Sequence, residues 1–502
     1  DPTGQTRPGD FGLRVPASGG GLPGRLLGDA DIVVGAFADL NLDVASSEAD
    51  KEDKAGKAPP TPETPALAPK ARAPPSAVAA DASPALAKAA QAIASGADDS
   101  AANAALEALG KAARNAAARP RVLLARGLVF WRWARLDRAL RDLQDARRLG
   151  AEGAGQALLA LQLCLARWPE ARQLAIEVGE EKAIGLIDAW IGFMDTMNGA
   201  FSPGEAVFVP EDKEVMPSIR QRDARVPVAD GVEVGLRFLL QLKGGQVQTK
   251  KPLVLYFHGN AETADSYKDP EVFEPIRASG ASALVADFRG YGFSRGGSGP
   301  SMAWLHVDGE RICEALPALF AEKGLPWPWP GRLFLLGRSM GSRVACHLAA
   351  VKGELFEGGV VLESAMCGSH APGAEAPPEP PADTGSALGG GGKRFQSKEM
   401  DDAVAKFGMV CQGLLAKVPG ITGSVAHFVH LAGNEDKVRG YDGRLLILHG
   451  EIDTIIPPSH ARRLCDAAEA ATRRLVTIPK GHNDLSYTEK YVEALKKFLA
   501  GQ

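Results

Sequence analysis

No stretch of the 502 residues approaches the ~20 consecutive apolar residues that a membrane-spanning helix requires. Positive charge is not in excess either: 57 Lys and Arg stand against 61 Asp and Glu, a formal net charge of −4. An electrostatic grip on nucleic acid or an anionic bilayer needs a concentrated basic footprint, so nucleic-acid partners are set aside. Cysteine is scarce, with six residues at 164, 313, 346, 367, 411 and 465 and no C-x-x-C pair among them. That spacing is neither a disulfide framework nor a zinc-ligand pattern. It points to reduced thiols in the cytoplasm or another reducing compartment, and to no bound metal. The chain opens at Asp1 without an initiator Met, so a fragment or processed product is expected, with any targeting signal outside it.

What the chain does have is abrupt changes of texture. Residues 1–30 are dominated by Gly, Pro and Arg, and 45–84 run through charged residues into Pro59-Pro60, Pro62, Pro65, Pro69 and Pro74-Pro75. Fixed φ angles and missing N–H groups preclude helix and sheet there, so 1–83 reads as a disordered tail and Pro-rich linker. From Pro84 the composition flips: 17 of the 34 residues in 85–118 are Ala, interrupted at Gly96–Ser100, where a turn and N-cap are expected. Beyond it, Leu123, Gly127, Phe130, Ala139, Leu143 and Ala146 space small and bulky residues as two interlocking helices, with Gly127 and Ala139 in close approach. This resembles a tetratricopeptide repeat. Stepping back 34 residues from Ala139, Leu143 and Ala146 lands on Ala105, Leu109 and Ala112, while the forward match slips by two residues at Trp168-Pro169-Glu170-Ala171. A generic Ala-rich bundle fits the same residues. A further helix, Ala183–Met197, carries Ile184, Ile187, Trp190, Ile191 and Met194 at core spacing. Residues 84–198 are therefore expected to be all-helical and to offer a surface to a protein partner.

After Gly199 the period changes again. Apolar runs bounded by turn residues occur at 232–240, 252–257, 283–287, 333–336, 359–362, 445–448 and 475–478, with helical segments between most of the later ones. Near-continuous apolar strands alternating with helices predict a mostly parallel sheet covered on both faces, an α/β domain whose chemistry lies at the carboxyl ends of its strands.

The sharpest motif is Leu336-Gly337-Arg338-Ser339-Met340-Gly341, a G-x-S-x-G between a strand and the helix beginning near Ser342. Its glycines permit a tight turn that projects the Ser339 hydroxyl above the sheet. A serine hydroxyl is a poor nucleophile without a base, and the base needs an orienting carboxylate. Downstream, the strand Leu446–Leu448 leads to His449-Gly450-Glu451-Ile452-Asp453, and Val476–Ile478 leads to Gly481-His482-Asn483-Asp484. Asp453 is the favoured acid, with Glu451 and Asp484 as alternatives. His258 and His449, in H-G steps at strand ends, are read as loop-structuring residues, as are Asp287 and Arg289; His347 is read as structural and Cys367 as inert, without an activating partner.

Five motifs, Phe257-His258-Gly259-Asn260-Ala261, Asp287-Phe288-Arg289-Gly290-Tyr291-Gly292, the Ser339 turn, His449-Gly450-x-x-Asp453 and Gly481-His482-Asn483-Asp484, occur in order. Over about 205–500 the chain resembles alpha/beta-hydrolase-superfamily serine hydrolases, nearest the Bem46-like group and acyl-protein thioesterases. The resemblance implies nucleophile Ser339, acid Asp453, base His482 and an oxyanion hole from the backbone N–H groups of Met340 and of Asn260 or its neighbour Ala261. It implies hydrolysis of an acyl ester or thioester, an acylated protein among the candidates, without cofactor. An aminopeptidase-like serine peptidase and a catalytically silent scaffold are the alternatives. One departure stands out: between Ser364 and Lys437 lies a long insertion, Pro- and Gly-rich and disordered in its first part (about 368–403), helix-like and apolar over Ala403–Leu431. The second part is expected to wall or cover the site.

Overall fold

The computed structural model describes residues 83–95, 99–196, 201–297, 299–367, 408–419, 433–470 and 472–502. The expected tail, most of the linker and the Pro/Gly-rich part of the insertion lie outside these residues.

Seven helices come first: α1 (Ser83–Ser95), α2 (Asp99–Ala112), α3 (Arg119–Arg132), α4 (Leu136–Arg148), α5 (Ala154–Cys164), α6 (Trp168–Val178) and α7 (Glu181–Thr196), each packed on the next. The interlocking of α3 with α4 rests on Gly127. A Cβ there would lie 2.9 Å from the Leu143 side chain and 3.3 Å from Asp142 Cβ. The close approach is thus to Leu143 and Asp142, while Ala139 is fully buried in the same apolar cluster. Arg126 fastens the pair from the side through both oxygens of Asp142, at 2.6 and 2.7 Å.

The rest of the chain builds a ten-stranded sheet: β1 (Lys213–Met216), β2 (Ile219–Ala229), β3 (Val232–Lys243), β4 (Gln246–Val247), β5 (Leu253–Phe257), β6 (Ser282–Ala286), β7 (Leu333–Arg338), β8 (Gly359–Glu363), β9 (Arg444–Gly450) and β10 (Thr472–Ile478). Their spatial order is β1-β2-β3-β6-β5-β7-β8-β9-β10, with β4 beside β3. From β6 to β10 every pairing is parallel, and β3 meets β6 antiparallel. Helices α9 (Leu305–Glu322), α10 (Gly341–Lys352), α12 (Asn434–Arg439) and α13 (Pro458–Ala467) cover one face, while α8 (Pro270–Ala278) and α14 (Glu489–Ala500) cover the other. The six parallel strands β5 to β10 are those expected from their apolar runs. β1 and β2 were not legible, because Ile219–Ala229 carries three Arg, an Asp and a Pro. Its buried charge, Asp223, is satisfied by Arg237 across the β2–β3 ladder at 2.7 and 2.6 Å. Pro227 is tolerated where β2 has no partner on its far side.

The chain order reverses at β5: β6 lies on one side of it and β7 on the other. A crevice opens at the carboxyl ends of strands at such a switch point. The turns after β5 and β7 both end there.

The helical region packs directly on this domain. Trp168 Nε1 donates to Ala303 O at 3.0 Å, Arg167 pairs with Glu310 of α9 at 2.9 Å, and Arg135 donates to Gly440 O at 3.1 Å. Ala303 and Ala350 belong to the apolar core of the helices. Within the insertion, a helix α11 at 408–415 and the turn after it bury Cys411, Leu414, Leu415 and Val418 in that same core. Their i, i+3, i+4, i+7 spacing makes a single apolar stripe, and Lys417 Nζ adds a 2.6 Å contact to Glu180. The apolar stripe at 411–418 is thus spent on the helical region and is not available to wall the crevice; Phe407, Phe428 and Val429 lie outside the described residues. Pro326–Pro330 is a packing corner: Trp327 and Trp329 meet Phe320 edge-on, and Trp329 Nε1 donates to Lys251 O at 2.7 Å.

Candidate active site

Ser339 sits between β7 and α10 with φ of +50°, a left-handed conformation that a non-glycine residue adopts only when its surroundings enforce it. The enforcement is visible. A Cβ at Gly337 would lie 2.5 Å from Ala345 Cβ, and one at Gly341 would lie 2.1 Å from Phe257 O, so the turn closes only with glycine at both positions. Ser339 N donates to Glu363 O at 2.9 Å, and Ser342 Oγ donates to Ser339 O at 2.6 Å.

His482 Nε2 lies 3.0 Å from Ser339 Oγ, and its Nδ1 lies 2.7 Å from Asp453 Oδ2. The Asp453 side chain is fully buried, and its other oxygen accepts from Ile455 N at 2.9 Å and Ile456 N at 2.8 Å. One carboxylate oxygen therefore ties the loop while the second faces the imidazole. Neither alternative acid reaches His482: Glu451 accepts from Thr477 Oγ1 at 3.0 Å, and Asp484 accepts from Gly481 N at 2.7 Å. His449 lies beside Asp453 but donates from Nε2 to Ile456 O at 2.8 Å, and burial lowers its pKa, which keeps it neutral.

Met340 is the residue before the first turn of α10, so its N–H has no intrahelical acceptor and lies beside Ser339. On the opposite wall, Asn260 Oδ1 accepts from Ser202 N at 2.9 Å, Ala261 N at 3.1 Å and Tyr291 Oη at 2.6 Å. The Ala261 N–H is thereby turned into the Asn260 side chain, and Ala261 itself has φ of +65°.

The residues read as structural are so placed. His258 Nδ1 donates to Gly259 O at 2.8 Å; Asp287 accepts from Ala264 N at 2.7 Å; Arg289 forms a two-pronged pair with Asp308, 2.7 Å from Nε. Cys367 differs from expectation. Its Sγ lies 3.3 Å from His460 Nδ1, which also accepts from Cys367 N at 3.2 Å, so the thiol has a histidine neighbour that the sequence, with the two 93 residues apart, did not reveal.

Sequence reasoning also missed Arg338. From the variable position of G-x-S-x-G, this buried guanidinium donates to Glu262, to Glu363 Oε1 at 3.2 Å, to His482 O at 3.3 Å and to Asn483 Oδ1 at 2.9 Å. Glu363 holds Tyr491 Oη at 2.6 Å with its other oxygen. A buried arginine beside one buried and one half-buried acid was legible only as three unrelated charged residues, 76 and 25 positions apart.

Comparison with known proteins agrees with this architecture. Residues 248–388 match a family model described as serine aminopeptidase, S33. The chain has the alpha/beta-hydrolase fold. The hydrolase is 26% identical over 294 residues to an uncharacterised protein of Mycobacterium tuberculosis, covering 58% of this chain and 83% of that one. It is 25% identical over 260 residues to the lysophosphatidylserine lipase ABHD12 of Xenopus tropicalis, covering 49% of this chain and 55% of the lipase. Among solved structures, the esterase Pf2001 of Pyrococcus furiosus aligns with 60% of this chain and 98% of its own at 16% identity, with a TM-score of 0.38. Among the described residues of the hydrolase, no helix is long and apolar enough to cross a membrane and no cluster of His, Cys, Asp and Glu is arranged to hold a metal.

Proposed function

We propose that the protein is a serine esterase or thioesterase that works through an acyl-enzyme on Ser339, with His482 as base and Asp453 as the acid that orients it. The observation that carries the reading is the unbroken chain from Asp453 Oδ2 through both His482 nitrogens to Ser339 Oγ, at 2.7 and 3.0 Å. In it His482 Nε2 takes the serine proton as Oγ attacks the acyl carbon, then gives that proton to the departing alcohol or thiol; a water repeats the exchange to release the acid. Asp453 fixes the Nδ1–H tautomer and balances the imidazolium charge. The Met340 and Asn260 N–H groups meet the oxyanion, each worth roughly 3–4 kcal/mol of transition-state stabilisation. With the Ala261 N–H directed to the Asn260 side chain, Asn260 is favoured as the second donor.

An acyl substrate is supported by the apolar, exposed Ile452 and Ile455, which flank Asp453, and by Tyr487 beyond His482. Within the superfamily the five motifs favour the Bem46-like and acyl-protein-thioesterase group, so acylated proteins and lipid esters are the substrate classes of choice. The helices at 83–196, stacked in consecutive pairs at a spacing near that of tetratricopeptide repeats, would bind a protein partner. Six cysteines without a disulfide fit a reducing compartment. A peptidase reading draws on the family model's description. Turnover of acyl esters and thioesters of graded chain length, against aminoacyl anilides, separates the two. Esters and thioesters cleaved by the wild type but not by Ser339→Ala are expected; cleavage of anilides alone, or ester turnover unchanged in the variant, overturns the proposal.

A further inference from the structure

Three loops must be held in register for the chemistry above: the turn carrying Ser339, the loop carrying His482 and the loop Gly259–Glu262 carrying the second oxyanion donor. They come from β7, β10 and β5, and among the described residues no stretch of backbone ladder joins their tips. One side chain touches all three. We propose that Arg338 is a positioning residue that locks these loops together and thereby sets the alignment of nucleophile, base and oxyanion donor; the inference rests on the acyl-enzyme reading of Ser339.

The guanidinium has five N–H donors in a rigid fork, and its contacts are divided among the loops. Nη1 goes to the carboxylate of Glu262, whose other oxygen accepts from Gly259 N at 2.9 Å and Tyr267 Oη at 3.0 Å. Arg338 therefore acts on the backbone directly before Asn260. Nη2 reaches the carbonyl of His482 itself at 3.3 Å and Asn483 Oδ1 at 2.9 Å. Nε reaches Glu363 Oε1 at 3.2 Å, and the Glu363 backbone carbonyl accepts from Ser339 N at 2.9 Å. Residue 338 also precedes Ser339, so the fork is anchored one bond from the turn it braces. Gly259 supplies an independent sign that the contact is built in: a Cβ there would lie 2.6 Å from Arg338 Nη1, so the glycine leaves the space that the guanidinium occupies.

The charges make the arrangement stiff. Burial raises the Glu363 carboxyl, and Arg338 opposes that shift; the same pair of acids holds the guanidinium protonated. Removing the cation would leave Glu262 and Glu363 facing each other beside the His482 loop. A misalignment of ~1 Å among reacting groups costs on the order of 100-fold in rate. Because none of these contacts meets the substrate, the loss belongs in kcat and not in KM.

The test uses the full chain with the best acyl ester found above. Arg338→Ala is expected to lower kcat about 100-fold with KM changed less than about twofold. Guanidinium at tens of millimolar restores at least a tenth of the loss, whereas sodium or ammonium chloride does not. Arg338→Lys, a point charge without the fork, recovers only part. Should Arg338→Ala fail to fold, Glu262→Gln and Asn483→Ala decide, since each removes one spoke: several-fold losses in kcat at unchanged KM and near-unchanged melting temperature are expected. Full kcat in both spoke variants, or a folded Arg338→Ala with wild-type kcat, overturns the proposal. A wild type that neither reacts with a fluorophosphonate nor cleaves ester refutes the Ser339 reading instead, and the positioning role with it.

Discussion

Among the described residues, the two shortest buried imidazole–carboxylate pairs are of nearly equal length and lie in two different regions. At the sheet edge, His482 meets Asp453 at 2.7 Å; beneath the helical region, His347 of α10 meets Glu310 of α9 at 2.8 Å. What separates them is the far nitrogen. That of His482 faces a hydroxyl held in a strained turn. That of His347 has no hydrogen-bond partner among the described residues, and its ring stacks on His306 at 4.6 Å. Burial drives His347 down to about 4, so it is neutral at neutral pH and donates Nε2–H to Glu310. Burial would raise Glu310, but its hydrogen bond to His347, the charge His347 carries once protonated, and Arg167 bring it to about 2. With His347 neutral, Arg167 of the helical region is the cation that balances Glu310. A histidine–carboxylate pair is thus a candidate for chemistry only when its second nitrogen has a reacting partner; otherwise it is a joint, here the one between helices and hydrolase.

The comparison can be broken at either pair. Asp453→Asn leaves the packing of the edge pair intact but removes the charge and tautomer control, and should reduce kcat about 10⁴-fold at wild-type stability; a loss below tenfold, measured by steady-state ester hydrolysis, would place the edge pair with the joint. Arg167→Met should do the reverse, costing on the order of 3–5 kcal/mol in denaturant unfolding because it strands the Glu310 carboxylate, while kcat of the folded protein stays within about twofold. Collapse of kcat with stability retained would make the joint part of the chemistry.

The pH dependence of stability sharpens the contrast further. In the unfolded chain His347 titrates near 6.5 and Glu310 near 4.5. The folded state resists protonating His347 until about pH 4, so stability falls as pH drops from 6.5 to 4, by up to ~3 kcal/mol. Glu310, held low by its partners, adds a second loss between about 4.5 and 2. Urea unfolding at stepped pH should show the first loss flattened in His347→Gln; an identical slope in the variant would contradict the buried neutral imidazole. The smallest effect concerns the helices alone: Gly127→Val drives a branched side chain into Leu143 and should cost about 1–3 kcal/mol, read as a lowered melting temperature with ester turnover intact below it.

Much of the edge was legible because acyl-transfer chemistry demands residue types at strand ends, and apolar runs mark those ends. Ser339, Asp453 and His482 come together as their strands predict. The joint was not legible, since nothing in Arg167, Glu310 and His347, spread over 180 residues, signals a shared contact. Nor was the fate of 411–418, where an apolar stripe announces burial but not its partner. Arg338 was hidden differently, at a position of the turn motif that any residue can fill.

The most direct measurement is reaction of the purified protein with a fluorophosphonate, followed by intact mass and peptide mapping. A single adduct on Ser339, absent from the folded Ser339→Ala variant, is predicted. Adduct formation on another residue, or none on folded wild type, would contradict the assignment of Ser339 as the nucleophile of this hydrolase.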